Sequence, residues 1–270
     1  MSNLPVYLVA FIAYGALSVI FVRAQLAGNA ETLNRGILNY AVLLPLALHG
    51  YLLHDSLWVY GALNLGLVNS VSLILWLTIL VYWLASFFYP LGSLKAMVLP
   101  LAGVGAMLPW IFPAVRTTTQ ATSWVFDAHV LVAMLAYSLF TIAALHAGFM
   151  SLVENNLHKA RLPGLIKNLP PLLTMETLLF RIIGAGFVLL TLTLISGSFF
   201  AEQIFGKAWQ FNHKVLFGFI SWLVFGILLV GHRFYGWRGR KAVSWTMSGF
   251  GFLLLAYLGS RFVLEIILHR

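Results

Sequence analysis

Eight long apolar runs constrain this chain of 270 residues more than any other feature of its sequence. A bilayer hydrocarbon core of about 30 Å requires roughly 20 apolar residues per helix. The runs are too long, and alternate too little, to be strands of a membrane barrel. They predict an all-α bundle of about eight transmembrane helices forming one membrane domain over residues 1–270. The predicted spans are 5–22, 37–53, 64–87, 95–112, 124–150, 177–200, 211–232 and 243–265.

The composition excludes most other classes of protein. Hydrophobic residues make up 61% of the chain and charged residues only 9%, against about 25% charged residues in a soluble domain. So few charges cannot cover a soluble fold of this size, which excludes soluble, secreted disulfide-rich and disordered proteins. Because there is no cysteine, disulfides, thiolate metal sites and thiol redox chemistry are also excluded.

The basic residues predict the orientation of the chain. The net charge of +9 comes from 16 Lys and Arg against 7 Asp and Glu, and these cations lie mainly in loops, which indicates membrane orientation and not nucleic-acid binding. No basic residue precedes the first apolar run, so we expect a retained span and not a signal peptide. Alternation of the spans then places eleven cations inside and five outside, with both termini outside. The inside cations are Arg23, Arg35, Lys95, Lys159, Arg161, Lys167, Arg181, Arg233, Arg238, Arg240 and Lys241. The outside cations are Arg116, Lys207, Lys214, Arg261 and Arg270.

A basic loop and four glycines are each expected to have a structural role. The basic loop 235–241 is typical of a positive-inside anchor with an interfacial tryptophan, and contact with anionic lipid is the sharper alternative. Four glycines within the predicted spans are expected to permit close helix contact. They are Gly184, Gly186, Gly249 and Gly251.

Three of the eight histidines are predicted to lie at a similar depth near the outer face. His49 falls about one turn below the outer end of the second span, His129 about one turn inside the fifth, and His213 at the start of the seventh. His146 and His232 fall near inner ends, whereas His54, His158 and His269 resemble loop or terminal residues. A single imidazole near a helix end is usually a hydrogen-bonded interfacial residue. Three imidazoles at one depth in the membrane favour a set of ligands for a metal or cofactor.

The residues around these histidines favour haem over a bare metal ion. There is no HExxH motif, and acids near the three histidines are scarce, so a zinc or di-iron hydrolase would lack ligands. Paired imidazoles in an apolar, aromatic setting suit the iron of haem b, with His129 and His213 as metal ligands and His49 as a further cofactor-binding residue. Trp209 is the tryptophan in an aromatic segment that precedes His213, and either flanks the haem or is an ordinary interfacial residue. The outside cations Lys207, Lys214 and Arg116 are candidate partners of the haem propionates.

No catalytic motif is visible. The chain has no Walker loop, no GxSxG elbow and no pair of carboxylates suited to acid–base catalysis. We therefore predict no catalytic residue and no hydrolytic or ATP-driven chemistry.

Short segments along nearly the whole chain resemble the cytochrome c assembly membrane proteins of the CcsA/CcmC type, and within them the smaller eight-span YpjD/HemX-like branch of the bacterial inner membrane. Each segment is short, and it is their common order that makes the resemblance specific. They are LHG at 48–50, AHV at 128–130 with Tyr137, LPPL at 169–172, ME at 175–176, LTLT at 190–193, NHK at 212–214 with Trp222, GWRGR at 236–240 and YLGS at 257–260.

The resemblance implies haem handling, because larger members hold haem at the outer face between two histidines that flank a tryptophan-rich loop. His129 matches the first of that pair, His213 lies near the second, and His232 lies near an inner histidine of larger members. The WxWD signature of that loop is missing, since residues 197–212 hold one Trp and several Phe. Haem binding, transport or regulation is thus implied more strongly than haem ligation to apocytochrome.

Three hypotheses about function remain open from the sequence. The first is a haem-binding or haem-translocating protein of cytochrome c biogenesis, with haem, membrane lipids and other cytochrome c assembly proteins as partners. The second is a cofactor-free accessory or regulatory membrane subunit with structural histidines. The third is a small-solute or ion transporter, and the lack of acids within the spans argues against proton coupling.

The predicted orientation is tested by single cysteines in this naturally cysteine-free chain. Cysteines at positions 118 and 208 should react with an impermeant thiol reagent in intact cells. Cysteines at positions 162 and 238 should react only after permeabilisation, because the cation bias places these loops inside. The reverse labelling pattern would place His49, His129 and His213 at the inner face and contradict the predicted orientation.

Overall fold

A computed structural model describes residues 3–29, 32, 36–59, 62–89, 91–113, 124–158, 171–205 and 213–267. Within these residues, eight helical segments are long and apolar enough to cross a membrane. The prediction of an eight-span, all-α membrane protein is therefore confirmed. The helices form two compact units of four spans each. That residues 1–270 act as one membrane domain, and that both termini lie outside, stay predictions.

The first unit contains the first four spans. Its helices are α1 (Leu4–Leu26), α2 (Ile37–Ala41), α3 (Leu43–Leu57), α4 (Leu67–Ala85) and α5 (Gly92–Ile111). Helices α2 and α3 together form the span Ile37–Leu57. A two-residue antiparallel pair, β1 (Trp58–Val59) with β2 (Ala62–Leu63), joins α3 to α4. Helix α5 packs along α1 and α4, and α3 contacts both α1 and α4.

The second unit contains the last four spans. They are α6 (Trp124–His158), α7 (Leu172–Phe205), α8 (His213–Tyr235) and α9 (Gly239–Leu254). Helix α9 continues through a π-helical turn (Leu255–Gly259), α10 (Ser260–Phe262) and a second π-helical turn (Val263–Ile267). Helix α6 packs against α7 and α9, and α8 packs against α9 and α7. With 35 residues, α6 is about 52 Å long and exceeds the hydrocarbon core.

Two glycines let the four helices of the second unit approach around a pair of stacked rings. Phe140 of α6 and Phe225 of α8 stack with their centroids 3.9 Å apart. A Cβ at Gly186 would lie 3.1 Å from Phe140, and one at Gly249 would lie 2.8 Å from Phe225. The expectation of close contact is confirmed for these two positions. It is wrong for Gly184 and Gly251, where an added Cβ would meet nothing within 4 Å.

Helix α3 extends beyond its predicted span, and helix α5 contains a proline. Because α3 continues to Leu57, His54 lies in a helix and not in a loop. His49 then lies eight residues from the end of the helix, which is about 12 Å, or two turns where one was predicted. Pro109 lies inside α5 and does not break it, since proline is tolerated in transmembrane helices whose freed backbone groups find other partners.

Lys95 is a buried residue of the first unit and not an exposed anchor. Its side chain is fully buried and its Nζ donates a hydrogen bond to Asn39 Oδ1. The ammonium also lies 5.6 Å from the ring centroid of Phe21. The Asn39 carbonyl oxygen accepts a bond of 3.0 Å from Trp83 Nε1. These contacts give a cation in an apolar environment the polar and aromatic partners that its burial requires.

Candidate functional site

His129 lies near the start of α6 and is held by a serine of the neighbouring helix. It follows Trp124, the first residue of the helix, by five positions, which is about 8 Å along the axis. Its Nδ1 lies 2.7 Å from Ser196 Oγ on α7, and its side chain is half-buried. The predicted depth of His129, about one turn inside the span, is confirmed.

The hydrogen bonds of Ser196 bear on which nitrogen of His129 carries a proton. Ser196 Oγ lies 2.7 Å from the carbonyl oxygen of Leu192 and 2.7 Å from His129 Nδ1, and its single hydroxyl proton can serve one of these two acceptors. When that proton goes to the Leu192 carbonyl, the serine oxygen accepts the proton of His129 Nδ1–H, and the lone pair of the neutral imidazole is on Nε2. A histidine that ligates a metal is oriented in the same way, through a hydrogen bond from its other ring nitrogen.

Gly197 lies beside the imidazole of His129. A Cβ built at Gly197 would lie 3.6 Å from His129 Cε1, which is an ordinary van der Waals contact. Ser196 and Gly197 of α7 therefore both face the ring of His129.

A group of cations lies at the same end of the second unit. Lys214, the second residue of α8, has its Nζ 4.9 Å from the ring centroid of Tyr257, and the Arg261 guanidinium lies 5.8 Å from the same ring. Arg261 also pairs with Glu265 at 3.5 Å. Lys214 is close enough for its charge to act on His129. We call Lys214, Tyr257 and Arg261 the cation cluster.

Tyr257 of the cation cluster is held in place by contacts with α6. The hydroxyl of Tyr137 donates a 2.8 Å hydrogen bond to the carbonyl oxygen of Leu253, one turn before Tyr257. The two tyrosine rings meet edge to face with centroids 6.1 Å apart. The π-helical turn Leu255–Gly259 contains Tyr257, and such turns are frequent at functional sites.

The structure brings some of the predicted site residues together and separates or does not describe others. The structure places Lys214 near His129, and His213, whose side chain is exposed, begins the same helix as Lys214. His49 lies in the first unit. Trp209 and Arg116 lie outside the described residues. Among the residues that the structure describes, no three His, Cys, Asp or Glu side chains come together as a metal site.

His49 is a buried structural partner within the first unit. Its side chain is fully buried, its Nε2 lies 3.0 Å from Ser72 Oγ on α4, and its ring meets the Tyr14 ring edge to face at 6.0 Å. In the described part of the chain, His49 Nδ1 and Tyr14 Oη have no hydrogen-bond partner. The interhelical bond to Ser72 is the role expected of a polar group within a span.

The two predicted inner histidines have different partners. His146 of α6 is buried and its Nε2 lies 2.8 Å from the carbonyl oxygen of Met175 on α7. His232 of α8 stacks on Phe180, with ring centroids 3.4 Å apart. Its Nδ1 donates to the carbonyl oxygen of Trp237 at 3.0 Å. Both imidazoles therefore join chain segments at the end of the unit opposite to His129.

Sequence reasoning missed three residues of this site. Ser196 is one of several hydroxyls on α7, and nothing in the sequence distinguishes the one that faces a histidine 67 residues away. The sequence did contain a signal from which Tyr257 and Arg261 could have been predicted as site residues. They stand four residues apart within the last apolar run, where the cost of placing a charge implies a partner.

The fold and this site define a class: a multi-pass helical membrane protein whose last four spans carry an oriented histidine and a cation cluster at one end. The profile of the family described as "Cytochrome C assembly protein" matches residues 37–268. The chain therefore belongs to the cytochrome c assembly protein family.

Individual relatives agree with this assignment. The chain is 29% identical over 268 residues to the inner membrane protein YpjD of Escherichia coli (strain K12), covering 98% of this chain and 100% of that protein. It is 40% identical over 89 residues to the cytochrome c biogenesis protein CcsA of Prochlorococcus marinus (strain MIT 9515), covering 33% of this chain and 28% of that protein. No solved structure shows a significant match. With its eight spans, the chain is a multi-pass inner-membrane protein.

The burial of His49 predicts a structural effect for its substitution. His49→Ala should lower the free energy of unfolding by about 2–4 kcal/mol, because it leaves a cavity and an unpaired Ser72 hydroxyl. His54→Ala is the matched control, since His54 is exposed on the same helix and its loss should change stability by less than about 0.5 kcal/mol. Denaturant unfolding in mild detergent measures both.

Titration with haemin gives the outcome that would contradict this assignment. If the unaltered protein binds haemin with a low-spin spectrum, that spectrum should persist in His49→Ala, with lower retention. A high-spin spectrum with unchanged stability would make His49 an axial ligand, because loss of an axial imidazole alters iron coordination.

Proposed function

We propose that this protein takes part in cytochrome c biogenesis by holding haem b at the outer membrane face, with the iron between His129 and His213. The haem is held and handed to a partner without hydrolysis. The observation that carries this proposal is the oriented imidazole of His129, whose Nδ1 lies 2.7 Å from Ser196 Oγ. With the serine hydroxyl donating to Leu192, Nε2 of His129 carries the lone pair.

The donor set of the second unit fits haem. Haem needs imidazole nitrogen for its iron and cations for its two propionates. His129 and His213 are the imidazoles, and Lys214 and Arg261 are cations of the same end. A bare Mg²⁺ or Ca²⁺ would need several carboxylate or carbonyl oxygens, and the described residues hold no cluster of acids.

The antiparallel order of the spans supports a common end for these groups. His129 follows the start of α6, Ser196 lies toward the end of α7, His213 starts α8, and Arg261 lies toward the end of the last span. Successive spans run in opposite directions, so two starts and two ends fall on one side of the membrane. The inside bias of the loop cations predicts that this side is the outer one.

Each of these residues has a separate task in the proposed mechanism. When bound, haem supplies an iron that accepts imidazole nitrogen and an edge that carries carboxylates. Ser196 keeps the proton of His129 on Nδ1 and so directs Nε2 toward the ligand. Lys214 and Arg261 attract the carboxylates, with their side chains placed over Tyr257. Because His213 is exposed, it is the ligand that a partner can displace first.

Membership of the family and the names of the relatives support the process. The family is described by cytochrome c assembly, and the CcsA relatives are named for cytochrome c biogenesis. Other assembly proteins are the proposed partners that receive or deliver haem. The full-length similarity to the inner membrane protein YpjD supports the whole eight-span chain as the working unit.

Haem binding by purified variants tests this proposal. His129→Ala and His213→Ala should each strongly reduce the Soret absorbance after titration with haemin, because each removes an iron ligand. Ser196→Ala should weaken haem affinity by about 10–100-fold, as loss of a group that orients a ligand does. His158→Ala and His269→Ala should bind haem like the unaltered protein.

Two results would contradict the proposal. One is equal loss of haem in all four histidine variants, which would indicate general destabilisation. The other is an unaltered protein that stays colourless with excess haemin, which would favour the cofactor-free accessory subunit.

A further inference from the structure

An apolar groove lies on the second unit at the end opposite to His129. Its volume is about 470 Å³, within the range of about 300–1,000 Å³ that ligand sites occupy. The groove is lined by Phe187 of α7, by Trp222, Gly226, Gly231 and Tyr235 of α8, and by Trp237, which follows α8. The lining is almost wholly apolar, since the Trp222 N–H donates to Thr191 Oγ1 at 2.8 Å and leaves only its ring to the groove.

Two glycines keep the groove open. A Cβ at Gly226 would lie 3.4 Å from Phe187, and one at Gly231 would lie 2.4 Å from Trp237. Three further lining residues, Leu223, Ile227 and Val230, are exposed on the surface of a membrane-spanning helix. The groove is therefore accessible to hydrocarbon from the bilayer.

Four cations lie at the mouth of the groove, and the structure divides them into two kinds. Arg238 pairs with Glu176 at 3.3 Å, and Arg240 pairs with Glu154 at 3.6 Å. Arg233 and Lys241 have no carboxylate partner among the described residues.

Both of these cations are close to lining residues, one in space and one in the chain. Lys241 Nζ lies 3.8 Å from the ring centroid of the lining residue Trp237. The exposed Arg233 stands in the sequence between the lining residues Gly231 and Tyr235, and its guanidinium lies 5.9 Å from the ring centroid of Phe234. An apolar groove thus ends beside two positive charges that no acid of the described chain neutralises.

We propose that this groove binds one acyl chain of an anionic phospholipid, whose phosphate is held by Arg233 and Lys241. Basic pockets at the ends of transmembrane helices bind anionic headgroups in this manner. The aromatic residues Tyr235 and Trp237 lie at the mouth, where amphipathic rings are favoured at the membrane interface. The site is separate from the proposed haem site, because α8 places His213 and Tyr235 about 33 Å apart.

The chemistry of the lining favours a lipid over haem. No histidine lines the groove. The nearby His232 stacks on Phe180 and donates its Nδ1 proton to the carbonyl oxygen of Trp237. An acyl chain needs only apolar contact, which is what the groove offers.

Native mass spectrometry of the full-length protein in detergent tests the proposal. The protein is titrated with phosphatidylglycerol or with phosphatidylcholine of identical acyl chains, and bound lipids are counted. Phosphatidylglycerol should bind more tightly. Arg233→Gln and Lys241→Gln should each weaken its binding by about fivefold, with little effect on phosphatidylcholine. Gly226→Leu should weaken both lipids, because the new side chain fills the groove.

Two matched variants control for charge and volume. Arg23→Gln removes an exposed arginine at the end of another span, and Gly184→Leu adds the same side chain where a Cβ meets nothing within 4 Å. Neither should change lipid binding. The charge variants do not touch the core, so they keep the test decisive even if Gly226→Leu folds poorly.

Three outcomes would overturn the proposal. Equal affinity for the two lipids would remove the role of the cations. If Arg23→Gln weakened phosphatidylglycerol binding as much as Arg233→Gln does, the effect would come from the net charge of the protein and not from this site. Displacement of phosphatidylglycerol by equimolar haemin, lost in Arg233→Gln, would make the groove a haem site.

Discussion

The absence of water from the bilayer core determines how every polar residue of this protein is placed. A polar group within a span must find its partner inside the protein, because an unsatisfied group in hydrocarbon costs several kcal/mol. Lys95 with Asn39 and His49 with Ser72 are such partners in the first unit. His129 with Ser196 is the corresponding pair in the second unit. The polar residues of the spans therefore identify contacts between helices.

These pairs differ in what they leave available for function. His49 is fully enclosed and its bond to Ser72 joins α3 to α4, which is a contact typical of a structural residue; its role as a cofactor-binding residue stays a prediction. His129 is half-buried, and its bond to Ser196 fixes the orientation of its ring. The same physical requirement thus produces a structural histidine in one unit and a candidate ligand in the other.

The two ends of the second unit have different electrostatic character. At the end with His129, Lys214 and Arg261 gather around Tyr257, which suits carboxylates of a bound ligand. At the other end, Glu176 and Glu154 neutralise Arg238 and Arg240 and leave Arg233 and Lys241 for an anionic headgroup. A ligand site and a lipid site at opposite ends of α8 are compatible, since each uses its own cations.

The sequence predicts the spans well because apolar length is a local property. It predicts their ends less well, because helix ends depend on tertiary contacts. Helix α3 continues past its predicted end to Leu57, and Asp55 within this extension accepts a 3.2 Å hydrogen bond from Asn3 Nδ2. In the candidate site, the depth of His129 follows from its position in a span, whereas its pairing with Ser196 depends on the packing of α6 on α7. The place of Arg261 in the cation cluster becomes clear only from the structure, which puts Tyr257 beside Lys214.

The most direct test of the central claim counts the protein nitrogens bound to haem iron. Pulsed electron paramagnetic resonance of the ferric, haem-loaded protein with isotopically labelled histidine reports couplings from imidazole nitrogen to the iron. We predict two histidine nitrogens in the unaltered protein, with one of them lost in His129→Ala and the other in His213→Ala. Two histidine nitrogens that persist in both variants, or none in the unaltered protein, would contradict it.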